Sequence, residues 1–273
     1  MSKFDVALPH TFKTGESIKL RDFSSAPPED LKFGKKGACK QIGANAFEMA
    51  EMAKRLYAED KRSILLVLQG MDTAGKDGTI RWVMRGMNPT SSQVTSFKSP
   101  SVEELDHDFL WRCHKAAPRR GNIGIFNRSH YEDVLIVRVH SLVPKNEWSQ
   151  RYDLINDWEN MLSASGTTVV KCFLHISKET QRERLQERVD VPEKHWKFNP
   201  GDLKERKLWS DYQKAYEDAL SKCNTDHSPW HIVPSDKKWY RNLVISQLLH
   251  NVLTDLNPQY PAAEEDFRGL VVE

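Results

Sequence analysis

One stretch constrains this chain more than any other: Ile64-Leu65-Leu66-Val67-Leu68-Gln69-Gly70-Met71-Asp72-Thr73-Ala74-Gly75-Lys76-Asp77-Gly78-Thr79. Its unbroken branched-aliphatic run predicts a strand buried on both faces. A glycine-punctuated loop follows directly and ends in Gly-Lys, so the chain passes from strand to loop to helix. Gly70 and Gly75, with Thr73 and Ala74 between them, let the loop turn its amide groups inward around phosphate oxygens. Lys76 adds a mobile point charge, and the next helix aims its N-terminus at the same anion.

The residue after such a lysine is ordinarily Ser or Thr, which holds magnesium; here it is Asp77. A second carboxylate, Asp72, lies inside the loop. Two acids beside a polyanion repel it unless a cation stands between them, so Asp72 is a candidate Mg²⁺ ligand. Asp77 is either a ligand or a helix cap.

With 273 residues the chain can bury a large core. Lys+Arg 40 against Asp+Glu 38 leaves it nearly neutral, so a polyanionic partner must be recognised locally. No apolar run reaches the length of a membrane span, and Met1-Ser2-Lys3-Phe4-Asp5 has no signal-peptide core, so a cytoplasmic protein without a membrane partner is expected. The four cysteines form no Cys-x-x-Cys pair, which argues against a zinc site or a disulfide framework.

Residues 1–42 read as an irregular leader lying on a single domain at 43–273. Ala44 to Glu59 carries a helix-period stripe. A crossover helix is expected over Gly78 to Met87, and Ser101 with Glu104 forms a capping-box signature before another helix. Helices are also expected at Tyr131 to His140, Asn146 to Ser163, Ser177 to Val189 and Lys237 to Leu256. Buried or short strands are expected at Gln93 to Phe97, Gly121 to Asn127, Val169 to Ile176 and Trp230 to Val233. Strands alternating with helices mean a parallel sheet covered on both faces, which binds ligands beyond the carboxyl ends of its strands.

From Phe109 to Tyr131 there is no acid, yet Arg112, Lys115, Arg119, Arg120 and Arg128 are present. Arginine forks suit phosphate oxygens, and a row of them suits a phosphate chain. After Asn127, the acids Glu132 and Asp133 either supply metal-associated charge or complement a helix dipole. His130 is expected to position its neighbours rather than transfer a proton. Arg184 and Arg188 share a helix face, and with Lys194 they fall in a segment, about 178–206, bracketed by Pro192 and Pro200 as a lid would be. Trp196, Trp209, Trp230 and Trp239 are assigned to the core. The segment from Asn88 to Pro100 lies where nucleotide kinases seat an acceptor; Arg81, Asn88, Phe97 and Lys98 are its candidate nucleotide-binding residues.

Together these residues resemble the polyphosphate kinase type 2 family. The resemblance rests on Leu68 to Thr79, Phe126-Asn127-Arg128-Ser129-His130-Tyr131-Glu132-Asp133-Val134, His195-Trp196-Lys197-Phe198 with Gly201-Asp202, and Trp239-Tyr240-Arg241-Asn242. It implies an α/β P-loop kinase fold like thymidylate kinase, a five-stranded parallel sheet with helices on both faces and a helical lid. It further implies Mg²⁺-dependent transfer between inorganic polyphosphate and nucleotides. Carried over, it implies that Asp72 and Asp133 organise magnesium or phosphate, Lys76 and Arg128 hold phosphates, and Arg184, Arg188 and Lys194 belong to the lid. Asn127 stands where many members have Asp, which resembles the subgroup acting on both AMP and ADP. Guanine nucleotides are left open as acceptors, and a homo-oligomer, dimer or tetramer, is expected from the resemblance alone. The rival readings are an ATP-dependent nucleoside monophosphate kinase and a non-catalytic P-loop module; balanced charge speaks against nucleic acid as a partner.

Overall fold

The computed structural model describes residues 13–263 and 271–272. Five strands are present among them: β1 (Ser63–Gln69), β2 (Ser92–Ser96), β3 (Ile123–Asn127), β4 (Thr167–His175) and β5 (Trp230–Pro234). They form one sheet in the order β2-β3-β1-β4-β5, with every pairing parallel. β1 is the central strand and is buried along its whole length, as its aliphatic run requires. Each buried Leu, Ile or Val there contributes about 1.5–3 kcal/mol over an exposed one.

The helices are α1 (Lys35–Glu59), α2 (Lys76–Val83), α3 (Val102–Leu105), α4 (Trp111–Ala116), α5 (Ile136–Val139), α6 (Lys145–Trp148), α7 (Arg151–Ala164), α8 (Lys178–Asp190), α9 (Pro200–Lys207), α10 (Trp209–Lys222) and α11 (Lys238–Leu256). α1 and α11 pack along one another, and α11 also packs on α2. Between α8 and α9 a 3-10 segment runs over Pro192–Lys197.

Several expected boundaries move. α1 begins at Lys35, inside the stretch read as an irregular leader, because Ala38 and Ile42 already bury against the core. Residues 1–12 of that leader lie outside the described residues. α2 ends at Val83, followed by Gly86 at φ 91°. The helix expected over Tyr131 to His140 is a 3-10 turn at His130–Val134 followed by the short α5. The one expected over Asn146 to Ser163 is broken between α6 and α7. Ser101 and Glu104 do form a complete capping box, and Ser177 caps α8. α9 falls within the stretch expected as a helical lid, without a range of its own; α10 was not expected, although Tyr212, Ala215, Tyr216, Ala219 and Leu220 recur at helical spacing and α10 buries four of them. Trp230 is core, and Trp209 and Trp239 pack against it, but Trp196 is 79 % exposed, a correction to its core assignment. It sits on the 3-10 segment, whose residues bury nothing.

Candidate active site

The loop between β1 and α2 has every carbonyl from Gly70 to Gly75 held by a donor. Gly70 O accepts from Lys76 Nζ at 2.7 Å, Met71 O from the Ala74 N–H at 3.0 Å and Asp72 O from Gln181 Nε2 at 3.2 Å. Arg184 donates to Thr73 O at 2.9 Å, and Ala74 O accepts from Arg241 at 2.7 Å and Arg184 at 3.3 Å. Gly75 O takes the Thr79 N–H at 3.0 Å and its hydroxyl at 3.2 Å. In contrast, the N–H groups of Thr73, Gly75 and Lys76 meet no protein acceptor among the described residues. A trans peptide sets C=O and N–H on opposite sides, so carbonyls tied outward free the amides to converge on an anion.

Backbone conformation supports that arrangement. Gly75 has φ 101°, and a Cβ there would collide with the Arg241 guanidinium. At Gly70, φ 155°, a Cβ would come within 2.9 Å of Leu174 O, so β4 packs too closely for any side chain. Thr73 is β-branched yet sits at φ 66°, and Arg128, after β3, is at φ 63°. Such residues store about 1–3 kcal/mol of strain each and persist where surrounding contacts impose them.

One cavity beside the loop is lined by Asp72, Arg128, Glu132, Glu205, Tyr212 and Tyr216, among others. Arg128 bridges its acids, 2.9 Å from Asp72 and 3.6 Å from Glu132. Burial opposes the Arg128 charge, but those two carboxylates outweigh it and raise its pKa. Lys76 goes the other way: burial, then repulsion from Arg128, pushes it down to about 8. Both cations would gain from a phosphate group between them. Asp77 is exposed and accepts from Asn127 Nδ2 at 2.6 Å, which ties the loop's exit to the end of β3.

The remaining expected site residues divide by location. Arg112 reaches Lys98 O at 2.9 Å, packs its guanidinium 5.3 Å over the Phe97 ring and lies 4.0 Å from Asp133. Asp133 also takes a 2.9 Å bond from Arg151. Burial raises the Asp133 carboxyl to about 6 against the pull of those two arginines. Asp133 does not line the cavity beside Asp72, because its carboxylate is turned into this arginine cluster. Phe97 is itself buried edge-on to Phe126, Asn88 caps a 3-10 turn, and Arg81 and Lys98 are exposed. Arg119 is not brought to the loop. It precedes β3, 4.0 Å from Asp60, and the five-residue strand puts on the order of 17 Å between it and Arg128. The basic row is thus divided between opposite ends of the sheet. Arg188 pairs with Asp202 at 3.0 Å and Lys194 pairs with Glu187. Arg184 is a clamp as much as a lid residue, since it also holds Ser235 O and Asp236 O at 2.7 and 2.9 Å.

Behind the turn after β3 lies a buried polar network that sequence reading missed. Glu159 accepts from His130 at 3.0 Å, Tyr131 at 2.8 Å, Lys171 at 2.6 Å and Ser228 at 2.7 Å. Burial alone would raise Glu159, yet Lys171 and His130 hold it near 2. His130 is fully buried and held by Glu159, and burial lowers its pKa.

Among the described residues no group of three or more His, Cys, Asp or Glu side chains is placed to hold a metal by itself. Asp72 and Glu132 nevertheless face one cavity with hard oxygen donors. That set fits Mg²⁺, which binds through one or two carboxylates and completes its shell with waters and substrate phosphates.

The family model for polyphosphate kinase 2 matches residues 32–261 of this chain. The chain belongs to the polyphosphate kinase 2 family. Its relatives include an AMP/ADP-polyphosphate phosphotransferase of Meiothermus ruber, 47% identical over 94% of this chain and 96% of that protein. An ADP-polyphosphate phosphotransferase of Rhodopseudomonas palustris is 48% identical over 92% of this chain and 91% of its own length. The crystal structure of polyphosphate kinase 2 from Arthrobacter aurescens TC1 superposes with a TM-score of 0.89 at 41% identity, covering 96% of each chain. The P-loop kinase fold expected from the sequence is therefore the fold this polyphosphate kinase 2 family member adopts. No helix among the described residues is long and apolar enough to cross a membrane.

Proposed function

We propose that this chain moves the terminal phosphoryl group of inorganic polyphosphate to AMP and to ADP, reversibly and with Mg²⁺. The observation that carries this reading is the phosphate loop, with its carbonyls pinned outward, its amides free and Lys76 at its mouth. Relatives nearly half identical and named for this chemistry support the choice of donor and acceptors.

Phosphoryl transfer depends on placement and charge neutralisation, so no covalent enzyme intermediate is required. The loop amides and Lys76 hold donor phosphates, and Arg128 is placed to stabilise the transferring group between them. Mg²⁺, held by Asp72 and Glu132, supplies charge neutralisation when bound. On the acceptor side Asp133 orients Arg112 and Arg151, and Arg112 in turn holds the Lys98 carbonyl beside Phe97. Arg188 and Lys194 exchange Asp202 and Glu187 for phosphate oxygens as the lid closes. The domain organisation, with a lid over about 178–206, and a homo-oligomeric state belong to this proposal, as does use of guanine nucleotides as additional acceptors.

Nucleotide products resolved by chromatography test the reading. ADP from AMP and ATP from ADP, both lost on omitting polyphosphate or Mg²⁺, are expected. Transfer seen only with ATP plus AMP overturns the donor assignment.

A further inference from the structure

Two guanidinium groups stand directly behind the phosphate loop with no carboxylate in ion-pair contact; Asp236, Glu187 and Glu183 act on Arg184 from further off, whereas no carboxylate offsets Arg241. Arg241 is 2 % exposed on α11, and its bonds go to Ala74 O and to the Asn242 side-chain oxygen at 2.9 and 3.2 Å. Arg184, on α8, bonds only to backbone carbonyls, those of Thr73, Ala74, Ser235 and Asp236. Among the described residues neither forms an ion pair, whereas Arg112, Arg128, Arg138, Arg151 and Arg188 each do. A buried cation without a counter-ion is costly unless something else compensates it. Burial, and then the neighbouring Arg184, pushes Arg241 down to about 9.

Both guanidinium groups converge on one atom, the Ala74 carbonyl oxygen. That carbonyl belongs to the peptide whose N–H is Gly75's, one of the amides with no protein acceptor among the described residues. Holding the oxygen against Arg241 and Arg184 fixes the peptide plane and points the Gly75 N–H the opposite way. Gly75 and Gly78 leave the room for it: a Cβ at Gly75 would collide with the Arg241 guanidinium, and one at Gly78 would come within 3.3 Å.

From this geometry we infer that Arg241, with Arg184, is a positioning residue for the donor phosphate. It locks the Ala74–Gly75 peptide with its amide toward the phosphate chain and sets an unneutralised positive charge behind the loop. Arg241 does not touch the substrate; it acts through the Ala74 carbonyl. The bound polyphosphate is then the counter-ion that the fold withholds. This inference rests on the proposed polyphosphate site, and its test separates the two.

The test is calorimetric titration of Mg²⁺-free full-length protein with linear polyphosphate of defined length, without nucleotide, alongside steady-state kinetics varying each substrate. Arg241→Met keeps the apolar stem and loses both charge and donor. It is expected to bind polyphosphate about ten-fold or more weakly, with the KM for nucleotide within about two-fold of the parent. Arg241→Lys restores a cation and one donor to Ala74 O and is expected to recover most of that loss. Arg184→Met, measured in parallel, is expected to weaken polyphosphate binding in the same direction and carries the test if Arg241→Met proves unfolded by circular dichroism. Folded variants that bind polyphosphate as the parent does overturn the inference, as does an equal rise in both KM values. A parent protein that binds no polyphosphate overturns the donor assignment itself and removes the ligand on which the inference depends.

Discussion

Two turns leave the carboxyl ends of neighbouring strands, and they handle charge in opposite ways. In the turn after β3 and the network behind it, side-chain charge is met by charge: Asp133 in the turn faces Arg112 and Arg151, and Glu159 on α7 faces Lys171 on β4. In the loop after β1, cations face carbonyl oxygens. Lys76 lies on Gly70 O, and Arg184 and Arg241 lie on Thr73 O and Ala74 O. The first arrangement holds a shape; in the second, Lys76, Arg184 and Arg241 are held by carbonyl oxygens rather than by carboxylates. Arg128 joins the two, since it leaves β3 but pairs with Asp72 in the loop.

The sharpest way to break this contrast is to remove compensation from the network behind the first turn. Glu159→Gln leaves the fully buried Lys171 ammonium without its counter-ion, and stability to urea is expected to fall by about 3–5 kcal/mol. A change below about 1 kcal/mol would mean that the network is not what holds the turn. The same pair sets an acid limit. With its folded pKa near 2, below the ordinary carboxylate value, Glu159 contributes stability above about pH 4.5 that is lost as pH falls toward 2.

The loop answers differently. Lys76→Ala is expected to leave thermal stability nearly unchanged while lowering kcat/KM by roughly 10² or more, because it removes one preorganised donor. A folded variant with normal turnover would dissolve the distinction between the two turns. A smaller effect comes from pH. Lys76 has a depressed pKa of about 8 in the free protein, so its charged form is complete only below that value. Polyphosphate affinity is expected to be level below about pH 8 and to decline above it as binding must take up a proton. A binding isotherm flat from pH 7 to pH 10 would exclude Lys76 as the titrating contact. The smallest effect concerns Arg119, at the opposite end of the sheet. Arg119→Ala is expected to change polyphosphate affinity less than about two-fold, as surface pairs contribute little; a ten-fold loss would restore a continuous basic row.

How much of this was legible in the sequence follows the same division. The loop declared itself because its signal is local: an aliphatic run, two glycines and a lysine within a few residues. Caps were equally readable, since Ser101 with Glu104 and Ser177 act within one helical turn. What escaped depends on long-range pairing. Arg241 reads only as one residue of a short motif on a helix that also carries Asn242, Ser246 and Gln247, and only folding brings it under Ala74. Lys171 and Glu159 lie on β4 and α7, and nothing in either segment announces the other. The basic row was misread for the converse reason. Proximity in sequence between Arg119 and Arg128 is undone by the strand that separates them. Trp196 was placed in the core by residue type, whereas its 3-10 segment leaves it on the surface.

The most direct measurement of the central claim follows both substrates at once: ³¹P NMR of the purified protein with Mg²⁺, linear polyphosphate and AMP, with no added ATP. Loss of polyphosphate signal matched by growth of ADP and then ATP resonances is the expected result, and its absence in Lys76→Ala ties the transfer to this loop. Unchanged polyphosphate and AMP, with ADP forming only once ATP is added, would contradict it and make the chain an ATP-dependent nucleotide kinase.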